Sequence, residues 1–231
     1  MGGRGNRPTG GFDRHRRTLF QWAAVAALLL GNQLSAAAQP PPVLVLGDSI
    51  SAAYGIAMEQ GWVELLRKKL HAEGYPTPVV NASISGETTS GGLRRLPNLL
   101  DRHQPGLVIL ELGGNDGLRG FPLADIKANL QRMIELAQES GAEVLLLGMR
   151  IPPNYGPAYT EPFFAQYQQL ALTHDLRLVP FFLDGIAGDA TLMQRDGIHP
   201  TAEAQPLLLA HIWPALRGLL SATDAQTEIH P

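Results

Sequence analysis

Five short apolar runs alternate with stretches of helical periodicity along this chain, and that alternation leaves few folds open. The runs fall at residues 43–47, 78–82, 107–112, 143–149 and 177–181. The first, Val43-Leu44-Val45-Leu46, is β-branched and apolar, as a buried strand requires. Those at 107–112 and 143–149 have near-continuous apolar cores, the mark of strands covered on both faces. Between the runs lie helical patterns. Residues 61–72 put Trp62, Leu65, Leu66 and Leu70 at helical spacing. Residues 93–102 carry Leu93, Leu96, Leu99 and Leu100, with Pro97 limiting where that helix starts. Residues 123–139 repeat Ile126, Leu130, Met133, Ile134 and Ala137. Residues 163–173 and 202–220 complete the set, and Pro206 and Pro214 are expected to break or bound the last one. Strand–helix alternation of this kind implies an α/β fold: a parallel sheet with helices on both faces. Ligand sites in such sheets lie beyond the carboxyl ends of the strands.

The chain has 231 residues, enough for one domain with a sizeable core. Residues 1–38 read as a separate segment. Arg14, Arg16 and Arg17 form a positive region, residues 19–30 are apolar apart from Gln21, and Ala36-Ala37-Ala38 offers an A-x-A cleavage site. These are the parts of a secretory signal peptide, and the apolar stretch is too short for a stable membrane span. Arg16-Arg17 also fits a twin-arginine signal. The expected product is an exported, periplasmic or secreted domain over residues 39–231, with 222–231 as a frayed tail. Residues 1–38 hold five Arg and one Asp, so the 18 basic and 21 acidic side chains of the chain become 13 and 20, a net of −7. An acidic domain without a basic stripe is a poor partner for nucleic acid or anionic membranes. There is no cysteine, which excludes disulfides, a thiol nucleophile and a cysteine metal site.

Reactive residues gather where strands end. The first run leads into Gly47-Asp48-Ser49-Ile50-Ser51, and far downstream stands Asp196-Gly197-Ile198-His199-Pro200. A serine at a strand exit, with an Asp and a His three residues apart, supplies a nucleophile, a base and an orienter. In isolation each has a plainer role: Ser49 as a helix N-cap, Asp196 as a turn former, His199 as a surface loop residue. Asp196 and His199 could also be two metal ligands, but no third ligand is evident. The turn is not the G-x-S-x-G elbow, because Ser51 stands where the second glycine would be. Asp48 and Asp116 read as hydrogen-bonding turn or cap residues.

Two further strand ends complete the pattern. Asn81-Ala82-Ser83-Ile84-Ser85-Gly86 follows the second run, and Glu111-Leu112-Gly113-Gly114-Asn115-Asp116 follows the third. With Gly47-Asp48-Ser49 and Asp196-x-x-His199, these resemble the SGNH, or GDSL, hydrolases over essentially the whole of residues 39–231. Ser49, Gly86, Asn115 and His199 match the four name-giving positions. The longer matches, including Pro153-Asn154-Tyr155-Gly156, resemble the bacterial periplasmic thioesterase I / protease I / lysophospholipase branch, which also holds arylesterases. Ile50 stands where that family usually has Leu.

The resemblance implies a flavodoxin-like three-layer α/β/α sandwich with a central five-stranded parallel sheet. It implies a serine esterase or thioesterase acting on acyl thioesters, lysophospholipids and aryl esters through an acyl-serine, with no metal or organic cofactor. Ser49 would attack, His199 act as base and Asp196 orient it. The oxyanion donors would be the N–H of Ser49, the N–H of Gly86 and the amide of Asn115. The apolar segment after the fourth run, with Met149, Ile151 and Tyr155, is placed to hold an acyl chain. For Tyr155 and Tyr159 a Pro/Gly-rich surface loop is an equal reading. A carbohydrate acetylesterase of the same family, or a flavodoxin-like binding module without chemistry, are the alternatives. A binding module of that kind would need a phosphate-cradling loop after the first run, and Asp48 there would repel phosphate.

Overall fold

The structure, a computed structural model, describes residues 1–3 and 40–227. The chain divides into two units, Met1–Ala38 and Gln39–Pro231. The signal peptide expected at 1–38 lies, apart from residues 1–3, outside the described residues. Among the described residues no helix is long and apolar enough to cross a membrane.

Five strands form one sheet: β1 (Val43–Gly47), β2 (Val79–Asn81), β3 (Leu107–Glu111), β4 (Glu143–Leu147) and β5 (Arg177–Val179). Their order is β2-β1-β3-β4-β5 and every pairing is parallel. Every residue of β1 and β3 is buried, as their apolar composition requires. β1 spans its whole apolar run, and the other four strands are shorter than theirs. Pro180 follows Val179 directly and has no N–H to continue the β5 ladder.

The helices are α1 (Trp62–Ala72), α2 (Thr89–His103), α3 (Gly114–Leu118), α4 (Leu123–Glu139), α5 (Pro157–His174) and α6 (Gln205–Thr227). α1 packs on α6, while α4 packs on both α2 and α5. These two groups make the outer layers of a three-layer α/β/α sandwich. Trp62, Tyr167, Phe163 and Phe182 are the largest fully buried side chains. Each such burial contributes roughly 1.5–3 kcal/mol.

Proline misplaces three helix boundaries. α2 starts at Thr89 rather than near Leu93, with Pro97 well inside it. Its first turn is anchored twice. Gly91 N–H donates to Thr88 Oγ1 at 3.2 Å, and the Asp116 carboxylate accepts from Thr89 N at 2.9 Å and Thr89 Oγ1 at 2.6 Å. α5 starts at Pro157, a favoured first residue, and runs through Pro162. α6 is not broken at Pro214. Leu208, Ile212 and Leu216 are fully buried around that point, and their burial outweighs the cost of about 3 kcal/mol for an interior proline. The expected tail, 222–231, falls partly on α6 and partly outside the described residues.

The topology fixes where a site can form. From β1 the chain passes to β2 on one side, then returns to place β3 on the other. That reversal opens a crevice beyond the carboxyl ends of β1 and β3.

Candidate active site

Ser49 sits in the tight turn that leaves β1 and opens onto this crevice. Tyr54 N–H donates to Ser49 O at 3.0 Å and Ala52 N–H to Asp48 O at 3.0 Å, which closes the turn. Beneath it lies Glu111, fully buried at the end of β3. Glu111 Oε2 accepts from Asp48 N at 3.1 Å and from Ser51 Oγ at 2.7 Å. Trp62 Nε1 in turn donates to Ser51 Oγ at 3.2 Å. A Cβ on Gly47 would lie 2.5 Å from that same Glu111 oxygen, so glycine is what lets the carboxyl reach under the turn. Burial, reinforced by the nearby Asp48, pushes the Glu111 carboxyl well above the ordinary range and favours its neutral form.

Asp48 joins the serine turn to the end of β3. Its Oδ1 accepts from Ile50 N at 3.1 Å, and its Oδ2 accepts from Asn115 Nδ2 at 3.0 Å. Burial lifts the Asp48 pKa from 3.8 to about 6, against the hydrogen bonds from Ile50 and Asn115 and the charge on His199. The folded protein therefore keeps a proton that the unfolded chain has released. The stability this group contributes is fully present below about pH 3.8 and is lost as the pH rises to about 6. The Asp48→Asn variant cannot ionise there. In urea unfolding it is expected to gain on the parent across that window; a pH-independent difference would contradict this.

The segment between β5 and α6 brings Asp196 and His199 to the same place. His199 Nε2 lies 2.9 Å from Ser49 Oγ, and His199 Nδ1 lies 2.7 Å from Asp196 Oδ2. Ionised Asp196 can only accept, so Nδ1 carries the proton and Nε2 is left as the acceptor facing the serine hydroxyl. Asp196 Oδ1 also accepts from the N–H of Ile198 at 2.9 Å and of His199 at 3.0 Å, which fixes the short loop. Partial burial pushes the Asp196 carboxyl up, but the hydrogen bonds from His199 and Ile198 together outweigh it and hold it at about 2. Among the described residues no third His, Asp or Glu joins this pair in a cluster fit for a metal.

Two residues that sequence reasoning passed over hold the loop against the serine turn. Gln194 Nε2 donates to Tyr54 O at 2.8 Å and to Pro200 O at 3.0 Å, and Gln194 N donates to His199 O at 2.7 Å. The Tyr54 ring lies 4.5 Å from the His199 ring, centroid to centroid. Glu111 belongs with them, and an acid ending an otherwise apolar buried run is itself a signal.

Gly86 and Asn115 complete the crevice. Gly86 has φ +79, a backbone conformation that only glycine adopts freely. Its carbonyl accepts from Arg119 Nη2 at 3.2 Å. Among the described residues neither Ser49 N–H nor Gly86 N–H donates to a protein acceptor. Asn115 spends one amide hydrogen on Asp48 and keeps the other.

A cavity of about 500 Å³ opens beside Ser49, Asn115 and His199. Met149 and Ile151 line it, and both are buried. Tyr155 does not line it. The Pro153–Tyr155 turn carries that ring outward, where Tyr155 Oη donates to Leu118 O at 2.6 Å. Tyr159 Oη likewise donates to Phe121 O at 2.6 Å, so the two tyrosines brace a loop rather than the cavity. Phe181, Leu183 and Met193 form more of the apolar wall. They follow β5 in a stretch without helical periodicity, so their sequence gave no sign of it.

An all-parallel α/β/α sandwich with a serine, an imidazole and a carboxylate in hydrogen-bonded line at its carboxyl edge belongs to the serine hydrolase class. Comparison with known proteins narrows the class. The model of the GDSL-like lipase/acylhydrolase family matches residues 45–206. Esterase TesA of Pseudomonas aeruginosa is 53% identical over 204 residues, 88% of this chain and 100% of that protein. An arylesterase of Vibrio mimicus is 49% identical over 78% of this chain and 90% of its own. The thioesterase 1/protease 1/lysophospholipase L1 of Escherichia coli K12 is 43% identical over 82% of this chain and 89% of its own. A crystal structure of TesA superposes with a TM-score of 0.75 at 55% identity, covering 77% of this chain and 99% of that one. The chain belongs to the GDSL-like lipase/acylhydrolase family, and it is a GDSL-type serine esterase/thioesterase.

Proposed function

We propose that Ser49, His199 and Asp196 are the catalytic residues of this esterase and that its substrates are acyl esters and thioesters with more than a minimal acyl chain. The observation that carries this is the unbroken line from Ser49 Oγ through His199 to Asp196, at 2.9 and 2.7 Å. His199 Nε2 takes the serine proton as Oγ bonds to the acyl carbonyl carbon. The carbonyl oxygen gains the negative charge and is met by Ser49 N–H, Gly86 N–H and the free amide hydrogen of Asn115. The imidazolium then gives its proton to the departing alcohol or thiol. An acyl-serine remains. Water, deprotonated by His199, attacks it and releases the acid. Asp196 stabilises the imidazolium in both halves.

Asn115 acts mainly in the transition state under this scheme. Asn115→Ala is expected to lower kcat by roughly 10²–10³-fold with little change in KM. A raised KM at unchanged kcat would make Asn115 a ground-state contact instead.

The cavity supports the substrate reading. A wall of Met149, Ile151, Phe181, Leu183 and Met193 would go largely unused by an acetyl group, which disfavours the carbohydrate acetylesterase. Each methylene buried there adds at most about 0.8 kcal/mol. The test is the ratio of kcat/KM for an octanoyl ester to that for an acetyl ester, with the thioester pair alongside. Ile151→Asp is expected to lower that ratio by tenfold or more. An unchanged ratio would put the acyl chain elsewhere.

Export rests on residues 1–38, with cleavage expected after Ala38 and a periplasmic destination. N-terminal sequencing of the protein recovered from the periplasm should begin at Gln39.

A further inference from the structure

One cation stands among the apolar residues of the cavity wall. Arg150 lies between Met149 and Ile151, just past the end of β4, and it is the only Lys or Arg among the residues lining the 500 Å³ cavity. It also lines a second pocket of about 190 Å³, together with Phe164, Pro180, Phe181, Asp184 and His211. Arg150 and Phe181 are the residues the two spaces share.

The guanidinium is held by its face. Its central carbon lies 3.6 Å from the Phe164 ring centroid and 5.7 Å from that of Phe181. Such stacking occupies the flat face of the group and leaves the N–H donors, which lie in its plane, pointing outward. Among the described residues none of those donors is used. Arg150 makes no ion pair with a carboxylate and donates no hydrogen bond, unlike Arg67, Arg95, Arg119 and Arg132, which each hold a partner. Asp184 lines the same small pocket without pairing with it. The surrounding domain is acidic, so a fixed positive charge at this spot runs against the field of the rest of the molecule.

A charged fork with its face packed and its edge unused is a preformed receptor for an oxyanion. We propose that Arg150 is a specificity-determining residue that makes this cavity select acyl esters and thioesters bearing a phosphate or carboxylate away from the scissile carbonyl. This rests on the reading of Ser49 as the site of acyl transfer. The anion can sit on either side of the scissile bond. On the leaving group it would be a phosphate, as on a coenzyme A thioester. On the acyl group it would be a terminal carboxylate, as on a dicarboxylic half-ester.

The test compares matched substrate pairs on the parent, Arg150→Met and Arg150→Lys. One pair is octanoyl-4′-phosphopantetheine against octanoyl-pantetheine, which differ only in phosphate on the leaving group. The other is a p-nitrophenyl half-ester of a dicarboxylic acid against the same ester with its far carboxyl methylated. Each readout is the ratio of kcat/KM for the anionic to the neutral member. In at least one pair Arg150→Met is expected to lower that ratio about tenfold, the low end for a charged hydrogen bond at an exposed site. Arg150→Lys should fall between the two, because it keeps the charge and loses the planar fork. The parent's ratio in that pair should drop as salt is raised from 0.05 to 0.5 M, while that of Arg150→Met should not, as expected for screening of an exposed charge at roughly these concentrations. Ratios unchanged by Arg150→Met in both pairs would overturn the proposal. Turnover of the neutral members by the parent separates the two readings: if no substrate is cleaved, the catalytic assignment fails, and if all are cleaved with unchanged ratios, only the role of Arg150 fails.

Discussion

Ser49→Ala is expected to remove esterase activity by a factor on the order of 10⁶ while leaving the fold in place. The two effects separate because the hydroxyl and the backbone of Ser49 have different duties. Among the described residues the hydroxyl's only hydrogen-bond partner is His199 Nε2. The turn is held by the carbonyl of Ser49 and by Asp48, Ser51 and Glu111, none of which the substitution touches. The melting temperature should therefore stay within a few degrees of the parent, since losing one part-buried hydroxyl hydrogen bond costs about 1 kcal/mol. The residual rate, some 10³–10⁴ above water, would come from binding and the oxyanion donors alone. The check is kcat/KM on an activated aryl ester beside thermal unfolding of the same preparation. Retained turnover would remove Ser49 from the mechanism. A lost fold would make the residue structural.

Asp196→Asn should cost about 10³–10⁴-fold in kcat, through the wrong tautomer rather than a lost loop. The asparagine carbonyl can still accept from Ile198 N–H and His199 N–H, so the turn survives. Its amide can donate to Nδ1 as readily as accept from it. That lets the imidazole proton move to Nε2, where it blocks the serine hydroxyl. The loss should appear in kcat more than in KM, because substrate does not need the imidazolium until charge develops. Asp196 is held at about 2 in the parent, so its own ionisation should leave no inflection in the rate above about pH 4. A variant within tenfold of the parent would mean that the loop, not the carboxylate, orients His199.

Much of the architecture was legible because each strand is an apolar run too short for a helix. Val43–Gly47 and Leu107–Glu111 carry that signal in their composition, and burial on both faces is the reason they have it. Helix starts were harder to read. Pro97, Pro162 and Pro214 all look like boundaries in one dimension, yet each sits inside a helix whose apolar face is already paid for by tertiary contacts. The residues at strand ends were visible because Ser49, Gly86 and Asn115 each fall within a few residues of the end of an apolar run, inside the motifs that carry the family resemblance. The roles of Glu111 and Gln194 were not, because they depend on partners 63 and 140 residues away, Asp48 and Tyr54. No local pattern encodes such a pairing. Tyr155 shows the converse: its neighbours in sequence line the cavity, but a single turn of 3₁₀ helix swings its ring to the outside.

Covalent labelling reads the nucleophile itself, without passing through an activity assay. The protein is treated with a p-nitrophenyl alkylphosphonate, and the modified site is found by intact mass and peptide mapping. An alkylphosphonate bonded to a serine mimics the tetrahedral intermediate, with its oxygen where the oxyanion donors point. One adduct per chain is expected, on Ser49, formed at a rate that falls in parallel with esterase activity in His199→Ala and Asp196→Asn. A stoichiometric adduct on any other residue, or full esterase activity in protein fully labelled at Ser49, would contradict it.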